Sequence, residues 1–155
     1  MKKLSATNLK QLDDTVFFVD RSLGKSIIAN ALSSVGAKTE IHDNHFAQDT
    51  DDITWLTAVG RRKWIVLSKD ERIRHHPLEL YALKAAKVGA FFLTSKGISG
   101  KEMAEIFVKA MPNILNACGS NKPPFVFLVY KDGKIAKVKT RDKGGWASFS
   151  LEKKK

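Results

Sequence analysis

Short, almost continuous apolar runs alternate along this chain with longer stretches in which apolar residues recur every three or four positions. Val16-Phe17-Phe18-Val19, Trp64-Ile65-Val66-Leu67 and Ala90-Phe91-Phe92-Leu93 have the length and branching of strands buried on both faces. Lys38-Thr39-Glu40-Ile41-His42 is weaker and polar, which suits a strand near a sheet edge. Between the strands lie helical repeats. Ser22 is placed to cap a helix with Leu23, Ile27, Ala31, Leu32 and Val35 on one face, stopped by Gly36. A second helix is expected from about Asp52 to Arg62, and Pro77 opens a third with Leu80 and Leu83 inward. Ser99 and Glu102 have capping-box spacing before Met103, Ile106, Phe107, Ala110 and Met111. Residues 1–14 read as a short helix or a loose arm.

Repeated strand–helix units with nearly unbroken apolar strands predict an α/β fold, a mostly parallel sheet covered by helices on both faces. After the linker-like Asn121-Lys122-Pro123-Pro124 the pattern changes. Phe125–Tyr130 and Lys134–Lys139 flank Asp132-Gly133, a two-residue hairpin signal. The expected organisation is an α/β domain over 1–119, with its core at about 16–116, followed by a basic C-terminal β-hairpin and tail over 120–155.

Charge sharpens that division. Of the net +11, residues 1–119 hold 17 basic and 13 acidic side chains, while residues 120–155 hold 10 and 3. Basic surface attracts nucleic acid through phosphate contacts without specifying sequence; the Lys153-Lys154-Lys155 end is more simply a solvated tail. One cysteine, Cys118, has no internal partner, which favours a reducing compartment. No signal-peptide pattern follows Met1-Lys2-Lys3 and no apolar run reaches membrane-spanning length, so the expected address is the cytoplasm.

The chemistry concentrates at strand ends. Asp20 follows the first apolar run, Asp70 lies just beyond the second, and Asp52 opens a helix between them. Each alone reads more simply as a turn, cap or helix-dipole residue. Gathered at one sheet edge they would repel unless a cation or basic group were present. Hard divalent ions favour such oxygen ligands, and Mg²⁺ or Mn²⁺ suits phosphodiester hydrolysis. Arg72, Arg74, His75 and His76 form a basic turn close to Asp70, able to grip phosphates or to lie solvated. Lys137 and Lys139 share one hairpin face, either a phosphate-facing stripe or edge-strand lysines. His42 and His45 have a spacing compatible with a metal, but without cysteines or a third nearby histidine a zinc site is improbable. Trp146 is the one tryptophan placed for base stacking or a partner contact.

The segments Phe17-Phe18-Val19-Asp20-Arg21-Ser22-Leu23-Gly24, Asp49-Thr50-Asp51-Asp52-Ile53-Thr54-Trp55-Leu56 and Val66-Leu67-Ser68-Lys69-Asp70-Glu71-Arg72-Ile73-Arg74 resemble a PIN-like family, in particular its VapC-type toxin branch. The likeness spans roughly residues 16–116. It implies a three-layer α/β/α sandwich and a metal-dependent endoribonuclease, the toxin of a toxin–antitoxin module. It further implies Mg²⁺ or Mn²⁺, RNA as substrate, an antitoxin partner and a possible homodimer. Asp20, Asp52 and Asp70 match the acidic ligands, and Ser68 the hydroxyl residue before the last of them. Family members often carry a fourth acid; Asp43, Asp49, Asp51 and Glu79 are candidates, Glu79 preferred.

Two other classes of function fit the residues. A receiver-type phosphoacceptor domain would use Asp20 for Mg²⁺, Asp70 for the phosphoryl group and Thr94 as sensor, although the basic charge and the lack of a convincing lysine after a fifth strand oppose it. A non-catalytic RNA- or partner-binding protein would rely on the hairpin and tail, with structural acids.

Overall fold

The computed structural model describes residues 4–138. Lys139, Trp146 and the Lys153–Lys155 end, to which the sequence lent possible roles, lie outside the described residues. Four parallel strand pairings and one antiparallel pairing make a single six-stranded sheet in the order β2-β1-β3-β4-β5-β6. The strands are β1 (Val16–Val19), β2 (Lys38–Ile41), β3 (Ile65–Ser68), β4 (Gly89–Leu93), β5 (Phe125–Val129) and β6 (Ile135–Lys137). The polar β2 is an edge strand, as its composition predicts. The hairpin continues the same sheet, because β5 pairs in parallel with β4 along its whole length.

Alternation along the buried strands makes two cores. Phe17, Val19, Leu67, Phe91 and Phe127 face α1 (Ala6–Asp14), α2 (Ile27–Ser34) and α6 (Gly100–Ser120). Phe18, Val66, Ala90, Phe92 and Val126 face α3 (Asp52–Arg61), α4 (Glu71–His75) and α5 (Pro77–Ala85). The result is the expected α/β/α sandwich. Gly60 of α3 packs closely against the carbonyl of Ala86, the C-cap of α5. The β4–α6–β5 connection crosses on the face opposite to β3–α5–β4, although both step the same way across the sheet. The two crossovers therefore have opposite hands, and the rule of right-handed connections is broken once.

Local chemistry sets the boundaries. Ser99 and Glu102 form the expected capping box of α6, and Pro77 occupies the first turn of α5. Three expectations are corrected. Ser22 does not cap a helix: Arg21–Leu23 is an isolated 3₁₀ turn closed by Gly24 at φ +90°, and α2 starts at Ile27. The basic turn after Asp70 is the short helix α4, because Asp70 caps it through the Arg72 amide at 2.9 Å. The hairpin turn has three residues rather than two. Gly133 donates to the Tyr130 carbonyl at 2.8 Å and takes φ +88°, and Tyr130 then pairs with Lys134 at 2.9 Å. Glycine supplies the left-handed position that such a loop requires.

Candidate active site

Strand order reverses between β1 and β3, since the chain leaves β1 for β2 on one side and later adds β3 on the other. The carboxyl ends of strands flanking such a reversal form a crevice, the usual ligand site of open α/β sheets. Here the crevice is a pocket of about 270 Å³, lined by Asp20, Asp52 and Asp70 together with Ser22, His42 and Arg72. A larger groove of about 810 Å³, with Ile27, Ala104 and Val108 in its lining, lies between α2, α6 and the hairpin turn. It is mostly apolar and remote from the acids, so the smaller pocket is the chemically equipped one.

Asp20 is fixed by its neighbours. Its amide donates to the Leu67 carbonyl at 3.0 Å, extending the β1–β3 ladder by one residue. Its carboxylate is buried, and Oδ2 accepts from both the Ser22 and Ser68 hydroxyls at 2.8 Å. Ser22 Oγ accepts from the Lys69 amide at 3.1 Å, and Ser68 Oγ from the Asp70 amide at 3.0 Å. Two hydroxyls thus tie the end of β1 to the segment that carries Asp70. Charge-assisted bonds of this kind hold a carboxylate to one rotamer.

Asp52 is not the α3 cap. Asp51 takes that place, accepting from the Thr54 amide at 2.7 Å, and its bonds to Thr54 hold its carboxyl below the usual range. Asp52 is therefore turned into the pocket, where Oδ1 accepts from Trp55 Nε1 at 2.9 Å. Burial pushes its carboxyl up, the Trp55 bond opposes this, and the charges of Asp70 and Asp20 push it further. Asp70 accepts from Arg72 Nε at 3.2 Å and Nη2 at 3.0 Å, a two-point clasp that also holds the guanidinium firmly protonated.

Among the described residues no three Asp, Glu, His or Cys side chains stand close enough together to hold a metal ion directly. The donor chemistry nevertheless fits a hard divalent cation. Three carboxylates face one small hollow, the Oδ2 atom of Asp20 carries both serine bonds, and burial, with a lesser push from Asp70 and Asp20, raises the Asp52 carboxyl, a cost that a cation would relieve. Mg²⁺ commonly keeps several waters, so it does not require carboxylates in mutual contact. For Asp70 to join such a set, its clasp with Arg72 would have to loosen.

Apart from His42, the remaining sequence candidates lie outside the pocket. Glu79 pairs with His76 at 3.4 Å, Asp49 is exposed, and Asp43 pairs with Arg21 at 3.2 Å. Arg74 reaches Glu71 at 3.6 Å, and Lys137, on the far edge strand, donates to Asn121 Oδ1 at 2.8 Å. His45 binds Glu40 at 2.6 Å whereas buried His42 lines the pocket, so the two histidines do not act as a pair. Sequence reading missed Arg21 and His42 as pocket residues and misplaced Ser22. The parallel pairing of Val19 with Ile41 is the signal that finds them, for it sets Asp20 and Arg21 beside His42 and Asp43.

A family model described as "PIN like domain" matches residues 15–95, a stretch that holds β1 to β4 and all three pocket acids. Neither the curated proteins nor the solved structures compared with the chain give a match. Among the described residues no helix is long and apolar enough to cross a membrane.

Proposed function

The chain belongs to the PIN-like domain family, in which nucleases are common, and from that premise we propose that it is a metal-dependent endoribonuclease. One observation carries the reading: three carboxylates from three separate elements line one hollow at the sheet's reversal point. Asp20, Asp52 and Asp70 would hold Mg²⁺ or Mn²⁺. When bound, such an ion lowers the pKa of water and offsets charge building on the phosphate. The protein then supplies position. Asp20 is locked by Ser22 and Ser68 and Asp52 by Trp55, while Asp70 would give up its Arg72 partner to hold the ion. Arg72, at the pocket's edge, would then be available to the charge of the substrate. No side chain serves as nucleophile.

The finer assignment is the toxin of a toxin–antitoxin module, VapC-like, cytoplasmic, with an antitoxin partner and a homodimeric state. It is supported by the order and content of the three acidic segments. The receiver reading is weaker, since the Thr94 hydroxyl is turned to the Val129 carbonyl at 3.2 Å and Thr94 does not line the pocket.

Incubation of labelled RNA with the protein in Mg²⁺, Mn²⁺ or EDTA tests the activity. Asp20→Asn and Asp70→Asn should each lower cleavage roughly a hundredfold or more, beyond the effect usual for outer partners of a metal site. Asn keeps the helix-capping ability of Asp70, so folding should survive. Full cleavage by the purified double variant would reject the mechanism.

A further inference from the structure

Arg21 stands beside three carboxylates and yet is bound to a fourth that lies outside their pocket. The β1–β2 register continues past the strand ends, bringing Arg21, in the turn after β1, alongside Asp43 in the turn after β2. Arg21 Nε lies 3.2 Å from Asp43 Oδ1, an ion pair without hydrogen-bond alignment, since that oxygen is buried and has no hydrogen-bond partner. Arg21 Nη1 donates to the Gln48 carbonyl at 3.3 Å. Lys25 approaches the other Asp43 oxygen at 4.0 Å. The guanidinium is thus held from one side, remains 40% exposed and lines the pocket, while Nη2 has no hydrogen-bond partner among the described residues. An arginine kept in place by an acid behind it presents donors suited to a phosphate in front.

We propose that Arg21 is a phosphate-binding residue of the acidic pocket, with Asp43 as its positioning partner, and that it grips a backbone phosphate of RNA beside the scissile bond. This deepens, and rests on, the ribonuclease reading. It also gives Asp43 a role other than that of a fourth metal ligand. Arg21 counters the repulsion that three carboxylates exert on a polyanion, and it does so without neutralising any of them.

Binding without cleavage isolates the effect. Fluorescence anisotropy of a 5′-fluorescein single-stranded RNA of mixed sequence is measured in EDTA, between 50 and 200 mM salt (the range in which phosphate contacts are resolved). Arg21→Ala should weaken binding about tenfold and flatten the plot of log affinity against log salt by about 0.7, the value for one lost phosphate contact on a single strand. Asp43→Asn should weaken binding by a smaller factor and leave the slope as it is, because the charge remains. Wild-type affinity and slope in Arg21→Ala overturn the proposal, as does lost affinity with an unchanged slope. Should Arg21→Ala fail to fold, Arg21→Lys and Asp43→Asn decide: wild-type affinity in both overturns it. A wild-type protein that binds RNA but cuts none in Mg²⁺ or Mn²⁺ defeats the ribonuclease reading and leaves the Arg21 contact to be judged on these slopes. A wild-type protein that binds no RNA defeats both.

Discussion

His42 is the neutral member of the pocket. It is buried among Phe18, Phe46 and Trp55, and its Nδ1 has no hydrogen-bond partner. Burial lowers its pKa from the ordinary 6.5, against the attraction of Asp20 and with the repulsion of Arg21. The unfolded chain then takes up the proton more readily than the folded one. The stabilising effect of neutral His42 is complete above about pH 6.5 and is lost progressively as pH falls below that value. Thermal melting should therefore show Tm declining from about pH 6.5 towards pH 5, and His42→Phe should remove that part of the decline. Equal slopes in the two proteins would show that His42 is not its source. Asp52 has the opposite sign. Its raised carboxyl makes the folded state the better proton acceptor, so acidification through that range adds stability. The three acids and Ser68 were legible because each ends a strand or opens a helix. Arg21 and His42 were not, because their meaning depends on which strand lies alongside, and Ser22 was read as a cap although its hydroxyl serves Asp20.

At the scale of elements, the α3–α5 contact depends on a missing methyl group. A Cβ on Gly60 would collide with the backbone carbonyl of Ala86, which cannot rotate away as a side-chain tip could. Alanine in place of glycine favours a helix by up to about 1 kcal/mol, whereas overpacking costs about 1–3 kcal/mol. The second effect should win, and Gly60→Ala should lower stability in urea by about 1–2 kcal/mol net. A variant as stable as the parent would mean that the two helices can separate without loss. Six strands and four helices were readable from apolar runs, caps and punctuating residues. The hand of the β4–α6–β5 crossover was not, since an amphipathic helix carries no mark of which sheet face it covers. Nor was α4 readable, since five residues are too few for a helical repeat.

The whole molecule combines a basic total with an acidic hollow. A net charge of +11 favours capture of a polyanion from solution, while the pocket gathers three carboxylates. If about four phosphates are contacted, RNA affinity should fall roughly fiftyfold between 50 and 200 mM salt. Affinity insensitive to salt would indicate that charge is not what brings RNA to the surface. The site itself follows from how the chain is routed. After β1 it turns to one face of the sheet and after β3 to the other, so a gap opens between them whatever the loops contain. Segments that begin after β4 and β5 take no part in making it. Extra residues spliced into the 131–133 turn would lengthen the chain and leave the acids standing where they are, which makes that turn a natural place to attach a reporter to a working protein.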